Sequence, residues 1–530
     1  MIVVEYIVKQ IKKEGIEYVF GYQGGNITYL VDAIARESGI YYNQSYNEQG
    51  AAFAANTYAQ VSGNFGVAVS SSGPGAINLM NGIANAYYDS VPVLFITGNI
   101  NTATMKTDAA MRQNGFQEAD IVSMVKGITK YAKTIMSVEE IVPALTEAFA
   151  KMMDGRKGPV LLDIPHDIQR SSINEAPAEW TMVNNPDIIP KHEYINKTIQ
   201  CLKKSKKPIF LIGNGCRSTQ ARSLLASLTE DLCIPIISSL NGIDACPANN
   251  PNYIGMIGTF GLDSTNRVLE QADCVVAIGS RMDERQRYAN GKDLFDGKSI
   301  VHVEIDQSEM RHINAKEFVV PYTVEAFLKA LIARLDDVRD IDYGDWHAEV
   351  LDVRKSELDK YILGKKCADQ LRKVFDSEIA TSYIIDVGCH QMAAAQVAYL
   401  KQGDFYLNSA GLGSMGFSIP GAIGAYYANK SGRIVAICGD GGFMMNLQEL
   451  QWIKREKLPI TIVVVNNRSL QMIANYQRLA FDGRTVGSEQ GYESPDIQKI
   501  AAAFGFDYYK ANDENLSGDH RTPTIIEIEV

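Results

Sequence analysis

No run of about eighteen apolar residues occurs in the chain, so a membrane-spanning helix is not expected. There is no Cys-x-x-Cys pair and no cysteine–histidine cluster at zinc spacing. The eight cysteines are scattered, which points to free, mostly buried thiols in a reducing cytoplasm. Basic blocks are absent as well. The formal net charge is −11, and the short cluster 203–207 reads as a solvated turn before a strand. Nucleic acid is therefore not expected as a partner, because neutralising phosphates requires clustered Lys and Arg. The apolar start, residues 1–6, runs straight into the charged amphipathic stretch 9–14, so no signal peptide is expected. Low-complexity tracts and short-period repeats are also missing.

What is present is an ordinary globular composition spread over 530 residues, too many for one core. Three α/β segments are expected. The first covers 1–170, with a helix over 4–14, a strand at 18–20, a helix over 49–62 and strands at 66–70, 92–97 and 160–164. Residues 171–190, with Pro177, Pro186 and Pro190, read as an extended linker. The second segment, 191–340, has strands at 209–213, 234–238, 274–279 and 300–305. The charged stretch 336–366 reads as a helix over the surface, placing a connecting helix at 341–366. The third segment covers 367–530 and closes on a strand at 524–530. The near-continuous apolar strands suit parallel sheets with both faces covered.

The third segment carries the most specific pattern. A strand at 434–438 runs into Gly439-Asp440-Gly441-Gly442, and a strand at 460–465 runs into Asn466-Asn467, with a helical stretch, 447–455, between them. This β-α-β unit puts hard oxygen donors at the carboxyl ends of two strands, where open α/β sheets bind ligands. A carboxylate, an amide oxygen and a backbone carbonyl suit Mg²⁺ shared with phosphate oxygens. Glycines beside Asp440 let a diphosphate approach the backbone. Together these features form a thiamine-diphosphate signature.

The first segment adds Gly21-Tyr22-Gln23-Gly24-Gly25, then Asn47-Glu48-Gln49-Gly50-Ala51, then Ser71-Ser72-Gly73-Pro74-Gly75-Ala76 with Asn78. A Glu at the start of a helix is usually no more than a favourable dipole charge, and Gly-Pro-Gly also closes ordinary strand–helix corners. Their shared context decides the matter. With Phe116-Gln117-Glu118, Asp163-Ile164-Pro165 and the stretches 279–285, 386–396, 411–416 and 439–467, the chain resembles, nearly end to end and in order, the acetolactate synthase branch of the thiamine-diphosphate enzymes.

That resemblance implies three doubly wound parallel-sheet domains: pyrimidine-binding, central and diphosphate-binding. It implies a homodimer or homotetramer, with thiamine diphosphate between subunits. Glu48 would hydrogen-bond the pyrimidine and drive proton removal, a task that calls for a carboxyl raised by apolar burial. Met415, between Gly413 and Gly416, would support the bent cofactor, although Met is commonly core filler. Gly25, Ser72, Pro74, Asn78, Gly411, Gly413, Gly439, Gly441, Gly442 and Met472 would line the cofactor. Asp440, Asn467 and the Ser469 carbonyl would hold Mg²⁺. Cys389-His390 stands where the family has Gln-His at the diphosphate, which leaves His390 as the donor.

Simple 2-ketoacid decarboxylases of the family use a His-His pair, and this chain has none. The synthase pocket uses Phe-Gln-Glu and a following Lys, matched by Phe116, Gln117 and Lys130. Gln117 would orient the intermediate; Lys130 reads equally well as a surface charge. Arg281-Met282-Asp283-Glu284-Arg285 resembles the family's FAD and acceptor-carboxylate segment, and Asp306, Gly258, Gly213 and Gly215 match its neighbours. FAD in a structural role is thereby implied, though such glycine turns close any α/β sheet. Three departures stand out. The segment 101–114 is longer than usual, Tyr476 replaces an acceptor-selecting Trp, and the chain ends at Val530 without the family's closing tail. The resulting expectation is a carboligase that takes pyruvate or another 2-ketoacid and passes the acyl unit to a carbonyl acceptor. An unusual acceptor, such as a nucleotide-linked keto-sugar, is favoured over a second 2-ketoacid. An FAD-using pyruvate oxidase, a simple 2-ketoacid decarboxylase and a silent cofactor-binding scaffold stay open as alternatives.

Overall fold

Strands that are apolar on both faces require helices on both sides, and the chain meets this requirement three times. The computed structural model describes residues 1–108, 110–177, 189–311, 316–354 and 360–530. Most of the expected linker, 178–188, lies outside them.

The first sheet is ordered Tyr41–Gln44, Tyr18–Gly21, Gly66–Ser70, Val93–Asn99, Val160–Pro165, Tyr131–Thr134, all parallel. The third is ordered Phe405–Asn408, Thr381–Ile385, Arg433–Gly439, Ile460–Asn466, Thr524–Glu529, Asp507–Lys510, also parallel. Numbered along each domain, both have the order 2-1-3-4-6-5. The central sheet runs Glu317–Val320, Ser299–Val303, Cys274–Ile278, Pro208–Ile212, Ile236–Ser238, Tyr253–Met256, the doubly wound order 3-2-1-4-5-6 read from its other edge. In each sheet the order reverses between two strands whose carboxyl ends open a crevice.

Most strands absent from the sequence expectations lie at sheet edges. Tyr131–Thr134 is only partly buried and Asp507–Lys510 largely exposed, and both carry polar residues, which blurs the apolar pattern. The charged stretch near 341–366 is not one surface helix. It forms the helix Gly344–Arg354, and a separate helix begins at Gly364. Trp346 and Val350 are buried under the central sheet, with the Trp346 indole N–H donating to the Pro208 carbonyl at 2.9 Å. Those two anchors sit within an otherwise charged sequence, so charge density alone gave the wrong picture. Among the described residues, no helix is long and apolar enough to cross a membrane.

The first and third domains share one hydrophobic core. At its centre the helix Glu48–Ser62 packs on Ser418–Ala428. Thr57 Oγ donates to the Gly421 carbonyl at 2.7 Å, and a Cβ on Gly424 would collide with the Ala54 carbonyl. The central domain is fastened by buried Asp244. Arg217 pairs with Asp244 at 2.9 Å and also reaches Gln60 of the first domain at 3.0 Å. The same carboxylate accepts the Tyr406 N–H of the third domain at 3.0 Å.

Because Gly424 lies at the closest approach of two helices, Gly424→Ala should lower stability by about 1–3 kcal/mol through overpacking. Chemical denaturation would measure this, and an unchanged midpoint would contradict the packing.

Candidate active site

In the third domain the strands Arg433–Gly439 and Ile460–Asn466 pair in register, Gly439 beside Val465, so Asp440 and Asn467 emerge side by side. The sheet order reverses next to Thr381–Ile385, which brings Asp386, Cys389 and His390 to the same crevice. Asp440 is buried and its Oδ2 accepts the Tyr492 hydroxyl at 3.0 Å. Burial raises the Asp440 carboxyl above its ordinary range. Asn467 Oδ1 accepts the Ser469 N–H at 3.2 Å, and its amide donates to Gln471 at 2.7 Å. Arg468 between them has φ of 54°, which tightens the turn.

His390 is 5% exposed, and burial lowers its imidazole to about 4, so it is neutral near pH 7. Its Nε2 has no hydrogen-bond partner among the described residues. A Cβ on Gly439 would lie 2.9 Å from His390 Nδ1, so only glycine fits there. Cys389 opens the helix Cys389–Val397, and burial raises its thiol to about 11. The neutral thiol is a poor substitute for an amide donor. Met415 Cε would lie 3.4 Å from a Cβ on Gly441. Its loop is held by buried Asp386, which accepts Gly416 N–H at 2.9 Å and the Ser418 hydroxyl at 3.0 Å. A Cβ on Gly442 would lie 2.9 Å from that carboxylate. Gly413 has φ of 76° and open space around it, while Gly411 N–H donates to Asp89 at 2.8 Å. Met472 is partly buried against the third-domain core.

In the first domain Asn47 caps the helix that Glu48 opens, accepting Gln49 N–H at 2.8 Å. Glu48 is 8% exposed, and its Oε2 accepts the Asn78 amide at 3.0 Å. A Cβ on Gly75 would lie 2.9 Å from Glu48 Oε1, and one on Gly73 would lie 3.0 Å from the Gln117 carbonyl. Gln117 has φ of 64°, a conformation that costs energy in a residue with a side chain. Glu48, Asn78, the Gly73-Pro74-Gly75 turn and Gln117 therefore converge. Pro74 opens the helix Pro74–Asn78, and Ser72 Oγ accepts the Asn26 amide at 2.6 Å, pinning the turn at Gly25.

The surroundings of Glu48 differ from the apolar pocket expected of it. A second carboxylate, Glu449 of the third domain, acts on it through charge; Glu449 is fully buried and accepts the Tyr46 N–H at 3.1 Å. Burial raises Glu449 to about 8. Lys130 does not join the group. Its ammonium donates to the Asp154 and Arg156 carbonyls, the latter at 2.7 Å, and so braces the 154–158 turn. Phe116 is 85% exposed and Tyr476 64% exposed.

The family models for thiamine pyrophosphate enzymes match in order: the N-terminal TPP binding domain over residues 1–124, the central domain over 195–331 and the C-terminal TPP binding domain over 386–523. The chain is 35% identical to the acetolactate synthase isozyme 2 large subunit of Escherichia coli, covering 94% of this chain and 89% of that protein. It is 32% identical to the acetolactate synthase large subunit of Lactococcus lactis, covering 99% and 92%. The chain belongs to the thiamine pyrophosphate enzymes. Within them it is acetolactate synthase-like, a thiamine-diphosphate-dependent enzyme.

For a thiamine pyrophosphate enzyme, the third-domain crevice fits the cofactor's charged end. Side chains are excluded at Gly439 and Gly442, and a buried neutral imidazole keeps an open nitrogen. Among the described residues no three His, Cys, Asp or Glu side chains cluster for a metal. A set of one carboxylate, one amide oxygen and one carbonyl would not form such a cluster, since it contains a single residue of those types.

A second crevice, with a volume of about 540 Å³, runs along the carboxyl ends of the central strands Pro208–Ile212 and Cys274–Ile278. Gly215, Arg281 and Arg285 line it, and Gly213 lies beside it, close against Gly279. Gly258 packs on the Arg285 backbone at φ of 101°. Asp306 is not free: it pairs with Arg156 of the first domain at 3.0 Å. First-domain residues Asp89 and Ser90 close the far wall. Asp89 Oδ2 is buried there without a partner among the described residues.

Sequence reasoning missed Glu449, Asp386, Asp89 and Tyr492. The signal available was an acid set among apolar residues, as in Tyr383-Ile384-Ile385-Asp386. Glu449 yields a pH prediction. A carboxyl raised by folding from 4.5 to about 8 binds its proton more tightly in the folded state. Its contribution is present below pH 4.5 and is lost as pH rises towards 8. Glu449→Gln should therefore flatten the fall in melting temperature between pH 5 and 8, and parallel wild-type and variant curves would refute this.

Proposed function

We propose that the protein is a thiamine-diphosphate- and Mg²⁺-dependent carboligase that takes pyruvate or another 2-ketoacid as donor. Its acceptor is a carbonyl compound, either a nucleotide-linked keto-sugar or a second 2-ketoacid. The observation that carries this reading is the convergence of Glu48, Asn78 and Gln117 on the Gly73–Gly75 turn. When bound, thiamine diphosphate supplies the nucleophilic carbon and accepts the electron pair left by decarboxylation. Asp440, Asn467 and the Ser469 carbonyl would hold the Mg²⁺. His390 would donate to a diphosphate oxygen through its open Nε2 once the bound anion draws a second proton onto the ring, since the other nitrogen already serves the Asp386 carbonyl. Glu48 would hydrogen-bond the pyrimidine and hold the proton shared with its ring nitrogen, while Asn78 fixes the carboxylate.

Gln117 holds the reacting carbonyl. Its strained backbone is the kind of feature a positioning role would maintain. The exposed Phe116 and Tyr476 favour an acceptor side completed by a second copy of the chain, in a dimer or tetramer. The central crevice takes FAD as a structural group, with Arg281 and Arg285 as cationic walls.

Product mass after incubation with pyruvate, alone and with each acceptor class, tests the reading. Oxygen uptake with peroxide release would replace it with an oxidase. Glu48→Gln should slow proton exchange at the cofactor's reactive carbon by about 10²- to 10⁴-fold; unchanged exchange would remove Glu48 from its role. Asp440→Ala should abolish cofactor retention at millimolar Mg²⁺, as read by calorimetry, and full binding would exclude it as a ligand.

A further inference from the structure

Asp89 ends the helix Met80–Tyr88 as its C-cap and is 6% exposed. Three residues spaced four apart, Asn81, Asn85 and Asp89, share one face of this segment. Each holds a point on the same third-domain loop. Asn81 Oδ1 accepts the Ser414 hydroxyl at 2.8 Å, Asn85 Oδ1 accepts the Ser409 hydroxyl, and Asp89 Oδ1 accepts Gly411 N–H at 2.8 Å. A Cβ on Gly411 would lie 2.8 Å from the Cβ of Tyr88, so the loop is pressed flat on this segment. Met415 follows immediately.

Asp89 lines the central crevice, and its Oδ2 is buried with no partner among the described residues. The Gly411 and Ala410 N–H groups and, through charge, Arg281 and Arg217 favour the carboxylate, yet burial still raises it to about 6. A buried acceptor without a donor is costly and uncommon, so a donor from a crevice occupant is the economical explanation.

We propose that Asp89 couples the two cofactor sites: Oδ2 accepts a hydrogen bond from a hydroxyl of FAD in the central crevice, while Oδ1 holds Gly411 and the loop that presents Met415. This rests on the reading of that crevice as an FAD site. Asp89 is a positioning residue, and it gives the flavin a function without electron transfer, because occupancy of the crevice fixes the thiamine-side loop. Linkage requires the effect to be mutual, so FAD and thiamine diphosphate tighten each other's binding by the same factor.

Calorimetry on the full chain tests this directly. FAD is titrated with and without thiamine diphosphate and Mg²⁺, and the reverse titration is run with and without FAD. Wild type should show mutual tightening of at least about fivefold. Asp89→Asn keeps the size and an oxygen for Gly411 but loses the charged acceptor. It should weaken FAD about tenfold or more and reduce the mutual tightening to near unity. Asn81→Ala, outside the crevice lining, should weaken thiamine diphosphate while leaving FAD affinity unchanged. Wild-type binding of both groups without mutual tightening overturns the coupling, and that measurement needs no variant. Unchanged FAD affinity in Asp89→Asn overturns the hydrogen bond. If wild type takes up no FAD at all, the crevice reading itself has failed and this proposal falls with it.

Discussion

The face-to-face packing of the helices Glu48–Ser62 and Ser418–Ala428 is the constraint on which the other contacts depend. It is close because Gly421 and Gly424 lack side chains, which lets Thr57 reach a backbone carbonyl of the other domain. Once these two helices are in contact, the first and third sheets lie over one continuous core. Glu449 then arrives beside the start of the Glu48 helix, and the 409–414 loop arrives beside Asn81, Asn85 and Asp89.

The interior polar groups follow one rule. A buried carboxylate is costly unless donors surround it. Asp244 has two arginines and a backbone N–H, and its carboxyl lies below the ordinary range despite complete burial. Asp386 has only neutral donors, and its carboxyl is raised. Glu449 and Asp89 are also raised, and both lie where the first domain meets the third. The fully compensated carboxylate fastens domains. The under-compensated ones border the cofactor loops, where a bound group or a proton can complete them.

Central strands and metal-side turns were legible in the sequence because their residues are local. Ile434 to Cys438 can only be a buried strand, and Asp440 between glycines can only be a tight approach. Edge strands such as Tyr131–Thr134 were not legible, because half-exposure permits polar residues. The charged run containing Trp346 misled for the complementary reason: two apolar anchors hold it, and composition averages them away. Lys130 shows a third limit. Its type and spacing matched a pocket lysine, yet its ammonium is taken up by two carbonyls of a turn reached only in three dimensions.

The sequence by itself determined the domain count, the parallel α/β architecture and the thiamine-diphosphate chemistry, since each is written in short local segments. Only the tertiary structure decided which acids stand together. Glu48 with Glu449, and Asp89 with Gly411, are separated by more than three hundred residues and meet through packing of apolar helices that carry no trace of the polar pairs they bring together. Hydrophobic burial is non-directional and sets where the domains meet. Hydrogen bonds then act at whatever contacts that meeting creates, so they cannot be read from the order of residues.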